Sequence, residues 1–558
     1  MNETQLRVRA ESACSDLLDS QSIRIRVSAL SGNTAAEACF RVFKEYAAKD
    51  NGGIGVIRTG STGFYDLEPI IMIDKPGNPT VCYANITEDA ALLLIQSYLE
   101  NGDPRADLAL GTTAVDGFIG IPSASSLPLF KRQKRVVLNR CGQVDPESIS
   151  HYIAGYGGYT GLAKALTMTP ADIIKLMAQT GLRERFGHGC PLMTQWHVFR
   201  EAEGSAKVVI CNALDNDLQA RTARILLEGD PHAVLEGLLI AAYTVGAAQA
   251  IMAIPAGYNT LVKTLNKVLA DMKEYNLIGT DILGSGFSCD IIIKEIPVST
   301  TACEKTALIR FLEGRQAIPF LRTSDNNKPM LGDKPAMINQ IETLANVSAV
   351  LQVGAEVLEG IGTEESVGTK IVTLTGDVDH SYTVEVPFGT PLETVIREIG
   401  GGIINDAKIK AVQYGGPTSV YLSADDLAKT VSYETTQEVG ALMGFSLIDV
   451  VADNVCAVEM TQKQMAFLHS QTCGKCVYCR EGTLHLSHML DDIAKAEGTA
   501  KDLDLLREIG GRMRTGCVCS FGTTAANPVL SSLQLFPAEY DAHIKQKKCP
   551  YAQGGKEA

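Results

Sequence analysis

Residues 469–483, HSQTCGKCVYCREGT, place three cysteines within a span of seven positions. A C-x2-C-x2-C run can aim three thiolates at one centre only where the backbone turns tightly, which Gly474 permits. The REGT that follows reads as the resumption of a helix, whose N-terminal dipole favours thiolate charge. Three ligands are one short of either common four-ligand site. In the same region only Cys456, Cys517, Cys519 and Cys549 remain. RTGCVCSFGTTAANPV offers Cys517 and Cys519 in a Gly-bounded loop, and spacing alone does not choose between them. Structural zinc sites usually pair two C-x2-C knuckles. A single triplet plus a remote cysteine is the 4Fe–4S pattern, so a 4Fe–4S cluster is expected rather than zinc.

The remaining composition narrows the class. The 558 residues suggest three or four domains at about 150 residues each. Fifteen scattered cysteines without an export signal read as reduced thiols, not a disulfide framework. A formal charge of −14, one Trp and 6% aromatics argue against a nucleic-acid partner. No apolar run approaches the roughly 18 residues that span a bilayer, so no membrane insertion is expected. The N-terminus MNETQLRVRAESACSDLLDS has no signal-peptide core, which makes the cytoplasm the expected location.

Along the chain, residues 1–20 read as a polar, partly helical leader. Residues 21–105 alternate strand and helix: SIRIRVSAL alternates in period two, NTAAEACFRVFKEYAAKD is helical up to the stop signal NGG, and PIIMIDKPGNPTVCYANI gives two strands around a Pro-Gly turn. TEDAALLLIQSYLENG opens on a capping Thr. Residues 106–125 are poor in charge and read as a linker. Residues 126–350 alternate helices such as PHAVLEGLLIAAYTVGA with strands such as AKVVICNA and AQAIMAIPA, an α/β domain. Residues 351–430 predict a hairpin, one helix and further strands, a compact β-grasp-like module. Residues 431–558 are mainly helical and carry the cysteine triplet. The glycine-rich GYGGYTGLAK and ILGSGFS lack the strand–helix–acid context of a Rossmann loop and read as turns. No histidine spacing suggests catalytic zinc.

CGKCVYCREGT, CSFGTTAANPV and FPAEYDAHIKQKKCP resemble the C-terminal domain of the flavoprotein (51 kDa-type) subunit of respiratory complex I, and of the beta subunits of electron-bifurcating iron-only hydrogenases. KRQKRVVLNRCGQVDPESISHYIAGYGGYTGLAKAL, LLEGDPHAVLEGLLIAAYTVGA and KPAMINQIETLANV extend the resemblance through nearly the whole chain. It implies a thioredoxin-like domain, a flavoprotein-type α/β domain, a ubiquitin-like module and a helical cluster domain. It also implies Cys519 as fourth ligand, because CSFGTTAANP matches the family's C-x-L-G-x-x-A-x-x-P. The implied set is Cys473, Cys476, Cys479 and Cys519.

The departures concentrate at the other cofactors. The family's flavin loop resembles G-R-G-G-A-G-F-P-T-G-L-K-W; residues 184–196 here read ERFGHGCPLMTQW. Glu184, Phe186 and Met193 stand where glycine lets backbone approach a flavin and its phosphate, and Gln195 replaces a lysine. In CNALDNDLQ, Asn212 is kept while Leu214 replaces an acid. In VSTTACEKT, Thr300 replaces a stacking aromatic, and Glu304 remains. Gly187, Gly189, Gln195, Asn212, Glu304 and Asn339 are therefore expected to be vestigial flavin-site positions, with FMN not bound. Ser61 and Tyr65 occupy cysteine positions of the N-terminal 2Fe–2S motif, so that cluster is expected to be absent. The resulting expectation is an electron-transfer subunit of a larger oxidoreductase, partnered by other iron–sulfur or flavin subunits. The alternatives are an active NADH dehydrogenase subunit with an unusual flavin site and a purely structural scaffold.

Overall fold

The computed structural model describes residues 1–18, 21–50, 53–204, 206–215, 219–321, 329–444 and 447–551. Within these, the chain builds three five-stranded sheets and a C-terminal group of helices. The helix-stop residues Asn51 and Gly52, the end of the leader at 19–20, and residues 216–218 of CNALDNDLQ lie outside the described residues.

The first sheet comprises β1 (Ile23–Ser28), β2 (Ile54–Thr59), β3 (Ile70–Asp74), β4 (Val81–Tyr83) and β5 (Ala109–Thr112), in the order β2-β1-β3-β4-β5. β1 and β2 are parallel, joined by the helix α1 (Thr34–Ala47), which buries Cys39, Val42 and Phe43 against the sheet. β5 corrects the expectation of a plain linker over 106–125: ALGT pairs antiparallel with β4 and closes one edge. Its four residues are too short to show an alternation, so pairing rather than pattern makes it a strand. The leader is also more than a tail. Its helix Glu3–Ala13 buries Leu6 and Ala10 in the core of the middle region.

The second sheet holds β6 (Val208–Asn212), β7 (Gln249–Pro255), β8 (Asp290–Ile296), β9 (Met330–Leu331) and β10 (Lys334–Gln340), in the order β8-β7-β6-β10-β9. β8, β7, β6 and β10 are parallel. β6 is buried along its whole length, as a parallel strand covered on both faces should be. Two helices, α2 (Pro231–Val245) and α3 (Ile341–Val353), cross in close contact. A Cβ on Gly237 would lie 1.9 Å from the Leu344 carbonyl oxygen, so only glycine allows that approach. From β6 the chain runs outward to β7 and β8, then returns to place β10 on the other side of β6. The strand order thus reverses between β6 and β10, where α/β sheets open a crevice beyond their C-terminal ends.

The third sheet comprises β11 (Thr369–Gly376), β12 (Thr383–Pro387), β13 (Ile409–Tyr414), β14 (Tyr421–Ser423) and β15 (Leu447–Ala452), in the order β12-β11-β15-β13-β14. β15 is central, pairing parallel with β11 and antiparallel with β13. The expected boundary at 430 therefore cuts through this sheet, and 431–558 is not wholly helical. The second and third sheets are stitched together by buried carboxylates. Glu385 on β12 accepts from the backbone N–H groups of Val136, Val137 and Leu138. Glu342 on α3 pairs with the fully buried Lys370 on β11 and accepts from the Ile371 N–H at 2.8 Å.

The C-terminal helices are α4 (Ala457–Ser470), α5 (Val477–Ala494), α6 (Ala500–Gly516), α7 (Ser520–Thr524) and, after Asn527–Leu535, α8 (Pro537–Lys545). They share a core of Met465, Leu486, Leu490, Leu506, Met513 and Val529, against which several cysteines pack. Among the described residues no helix is long and apolar enough to cross a membrane.

Candidate metal centre and the adjoining cavity

The cysteine triplet spans the turn between α4 and α5. Gly474 takes the left-handed conformation expected of it (φ 77°). Cys476 is the N-cap of α5 and Cys479 is buried one turn later. Cys517 follows the last residue of α6, and Cys519 is the N-cap of α7. A Cβ on Gly522 would come within 2.7 Å of Cys517 Cβ and 3.6 Å of Cys479 Cβ, so the two segments meet with no spare room. All five sulfurs share one neighbourhood. The hydrogen bond to Cys517, then burial, raises the Cys479 thiol, with Cys519 and Cys473 close enough to add to the shift. The same bond lowers Cys517, which also meets Cys476. Burial pushes Cys519 up to about 11, against a hydrogen bond from the Gly522 backbone, with Cys473, Cys476 and Glu304 nearby. The structure therefore brings Cys473, Cys476, Cys479 and Cys519 together, and it brings Cys517 to the same place.

A second group of soft ligands lies in the same helical region. The ligand atoms of Cys456, His543 and Cys549 all fall within 4.8 Å of one another. Cys456 Sγ is 3.3 Å from His543 Nε2, and Cys549 Sγ is 4.0 Å from Glu459 Oε1. Cys456 is the N-cap of α4, and His543 is fully buried on α8. Two thiols and an imidazole could hold a zinc-type ion. The sequence hid this set because its members are spread over positions 456 to 549, with no short spacing to betray them.

Beside the cysteines lies a cavity of about 240 Å3, lined among others by Phe186, His188, Cys190, Thr300, Lys305 and Ser520. Glu184 forms part of its wall, and only 3% of its surface is exposed. Its carboxylate accepts from Gln340 N–H (2.7 Å), Asn339 Nδ2 (2.6 Å) and Thr343 Oγ1 (3.0 Å) at the junction of β10 and α3. Asn339 Nδ2 also donates to Gln195 Oε1 (2.9 Å), and Asn339 Oδ1 accepts from Trp196 Nε1 (3.2 Å). Gln195 Nε2 donates to the Ile338 carbonyl (3.0 Å). Asn212 Nδ2 donates to the Cys303 carbonyl (3.0 Å). Glu304 caps the helix Lys305–Leu312, accepting from Thr306 N and Ala307 N. Gly187 and Gly189 both hold left-handed turns (φ 63° and 64°). A Cβ on Gly189 would strike the Tyr433 ring at 2.5 Å. Thr300 donates through N–H and hydroxyl to Gln471 Oε1, tying this wall to the end of α4.

Comparison with known proteins decides the ancestry. Residues 177–349 match the family model described as the Nuo51 FMN-binding domain. Residues 459–543 match the NADH-ubiquinone oxidoreductase-F iron-sulfur binding region. The NADP-reducing hydrogenase subunit HndC of Solidesulfovibrio fructosivorans is 39% identical over 420 residues, covering 75% of this chain and 85% of that protein. The chain belongs to the Nuo51 (NADH-ubiquinone oxidoreductase-F) family. The F 2 subunit of the NADH-quinone oxidoreductase of Rhizobium meliloti (strain 1021) is 33% identical, with 75% of this chain and 99% of that protein covered. An NAD+-reducing [NiFe]-hydrogenase in the air-oxidized state shares the fold, with a TM-score of 0.63 at 22% identity over 97% of this chain and 91% of that one.

In this member of the Nuo51 family, Ser61 and Tyr65 are held by the chain's own groups. Ser61 Oγ bonds to Glu68 and accepts from Gly63 N–H at 2.9 Å. The Tyr65 ring packs under the Arg221 guanidinium, 4.3 Å from its centroid. The loop after β1 is held by carboxylates: Glu68 accepts from Leu30 N–H (2.9 Å), and Glu228 from Ser31 N–H (2.9 Å) and Oγ (2.8 Å). Burial pushes the Glu68 carboxyl up to about 7.

Proposed function

We propose that this chain is an iron–sulfur electron-transfer subunit of a multi-subunit oxidoreductase and carries no flavin of its own. The convergence of Cys473, Cys476, Cys479 and Cys519 on one site supports the electron-transfer part. A 4Fe–4S cluster bound there would accept and release single electrons. Cys519 is the better fourth ligand for a physical reason. It is the N-cap of α7 and receives the Gly522 amide, which works against the burial that raises its thiol, whereas the lowering of Cys517 comes first from its hydrogen bond with Cys479, a bond that would be lost once Cys479 is a cluster ligand. On this reading the first sheet is a thioredoxin-like domain without its 2Fe–2S cluster. The third is a ubiquitin-like module extended to residue 452.

The residues present do not fit FMN. The four vestigial positions with polar side chains are satisfied by the chain's own groups: Gln195 by Asn339 and Ile338, Asn339 by Glu184, Gln195 and Trp196, Asn212 by Cys303, Glu304 by its helix. The cavity is smaller than the roughly 300–1,000 Å3 of ordinary cofactor pockets. Leu214 is buried where a polar contact is expected, and Thr300 offers no surface on which a nicotinamide could stack. The match to an FMN-binding domain favours the second reading, an active NADH dehydrogenase with its own flavin. Acid extraction of the purified complex or chain separates the two. The proposal requires iron and sulfide without FMN and no NADH-driven dye reduction. Near-stoichiometric FMN would promote the second reading. Electron flow is expected to reach the cluster from other iron–sulfur or flavin subunits.

A further inference from the structure

Glu184 is a buried carboxylate whose three hydrogen-bond donors carry no charge. Glu342, by contrast, is paired with Lys370. Among the described residues no Lys, Arg or His forms an ion pair with Glu184. Its charge is met instead by one backbone N–H, one amide and one hydroxyl. Burying a charge is costly unless it is paired and hydrogen-bonded, and here hydrogen bonds from neutral donors stand in place of a counter-ion. The surroundings suit an anion. Gln340 is the N-cap of α3 and Thr343 lies in its first turn, so the helix dipole is aimed at the carboxylate. Gln340 and Asn212 end the two strands between which the sheet order reverses, where ligands of α/β folds are held, and Asn339 precedes Gln340.

The donors are oriented by their own partners. Trp196 Nε1–H points at Asn339 Oδ1, which turns the amide NH2 toward Glu184. Arg185 N–H donates to Thr343 Oγ1 (2.9 Å), which leaves the hydroxyl proton for the carboxylate. The Tyr433 hydroxyl donates to the Glu184 carbonyl (2.7 Å) and fixes the backbone that carries the side chain.

We infer that Glu184 is a built-in anion, lodged in a cradle shaped for the phosphate of a phosphate monoester and closing it to external ligands. This deepens the proposed loss of flavin and rests on it. Glu184 stands where the family's loop has a glycine, so the carboxylate reaches the cradle from a position at which the relatives' pattern supplies no side chain.

The test uses the full chain with Glu184→Ala and Glu184→Gln, titrated with inorganic phosphate against chloride at matched ionic strength. Glu184→Ala empties the cradle, and its melting midpoint should be lower than that of the natural chain. It should climb with the logarithm of phosphate concentration, as binding to the native state alone requires. The natural chain and Glu184→Gln, whose amide still fills the space, should show no phosphate-specific rise. A Glu184→Ala midpoint indifferent to phosphate, or an equal rise in the natural chain, overturns the inference. If Glu184→Ala is unfolded without phosphate, refolding with phosphate but not chloride supports it, and failure in both overturns it. The outcome is independent of flavin content: FMN extracted from the natural chain would refute the flavin-free reading, whereas the phosphate response reads the cradle alone.

Discussion

Cys517 and Cys519 are two positions apart and stand at opposite kinds of helix end. Cys519→Ser should therefore lower iron and acid-labile sulfide well below the about four of each expected per chain, while Cys517→Ser should leave most of both. Iron and sulfide assays on the two variants check this, and equal losses would refute the assignment. Glu68 invites a pH test. Its folded pKa, about 7, lies above the ordinary carboxyl value, so the native state holds its proton longer than the unfolded chain does. The contribution is fully present below about pH 4.5 and is lost as pH rises through about 7, up to about 3 kcal/mol. Glu68→Gln should flatten that part of the stability–pH curve relative to the natural chain, measured by urea unfolding from pH 5 to 8. The cysteine triplet was legible because local spacing defines it. The role of Glu184 was not: the sequence marks it only as a displaced glycine, and its partners lie some 155 residues away on another strand and helix.

At the scale of elements, the alternating and capped segments were readable, among them β1, α1 and the hairpin of β11 and β12. β5 and β15 were not, because a short or apolar run becomes a strand only through a distant partner. The same non-local logic governs the joint between the second and third sheets. Lys370 is fully buried, and desolvation lowers its pKa despite the Glu342 partner. Lys370→Met would leave the Glu342 carboxylate buried without its cation. It should cost about 3–5 kcal/mol by denaturant unfolding, whereas the double change with Glu342→Gln should recover part of that loss.

For the molecule as a whole, the distribution of thiols predicts one redox centre visible by EPR. The dithionite-reduced chain should give a single 4Fe–4S-type signal and no 2Fe–2S-type signal, because Ser61 and Tyr65 are engaged with Glu68 and Arg221 instead of a metal. A second signal would contradict that reading. The seat of the indole beside the cradle has an optical consequence. The chain's only tryptophan is Trp196, fully buried, with its indole N–H on Asn339. Its emission wavelength and intensity therefore report from a single known spot, one side chain away from the Glu184 carboxylate. Whatever fills or empties that crevice, in the isolated chain or among partner subunits, writes itself into the intrinsic fluorescence without any label.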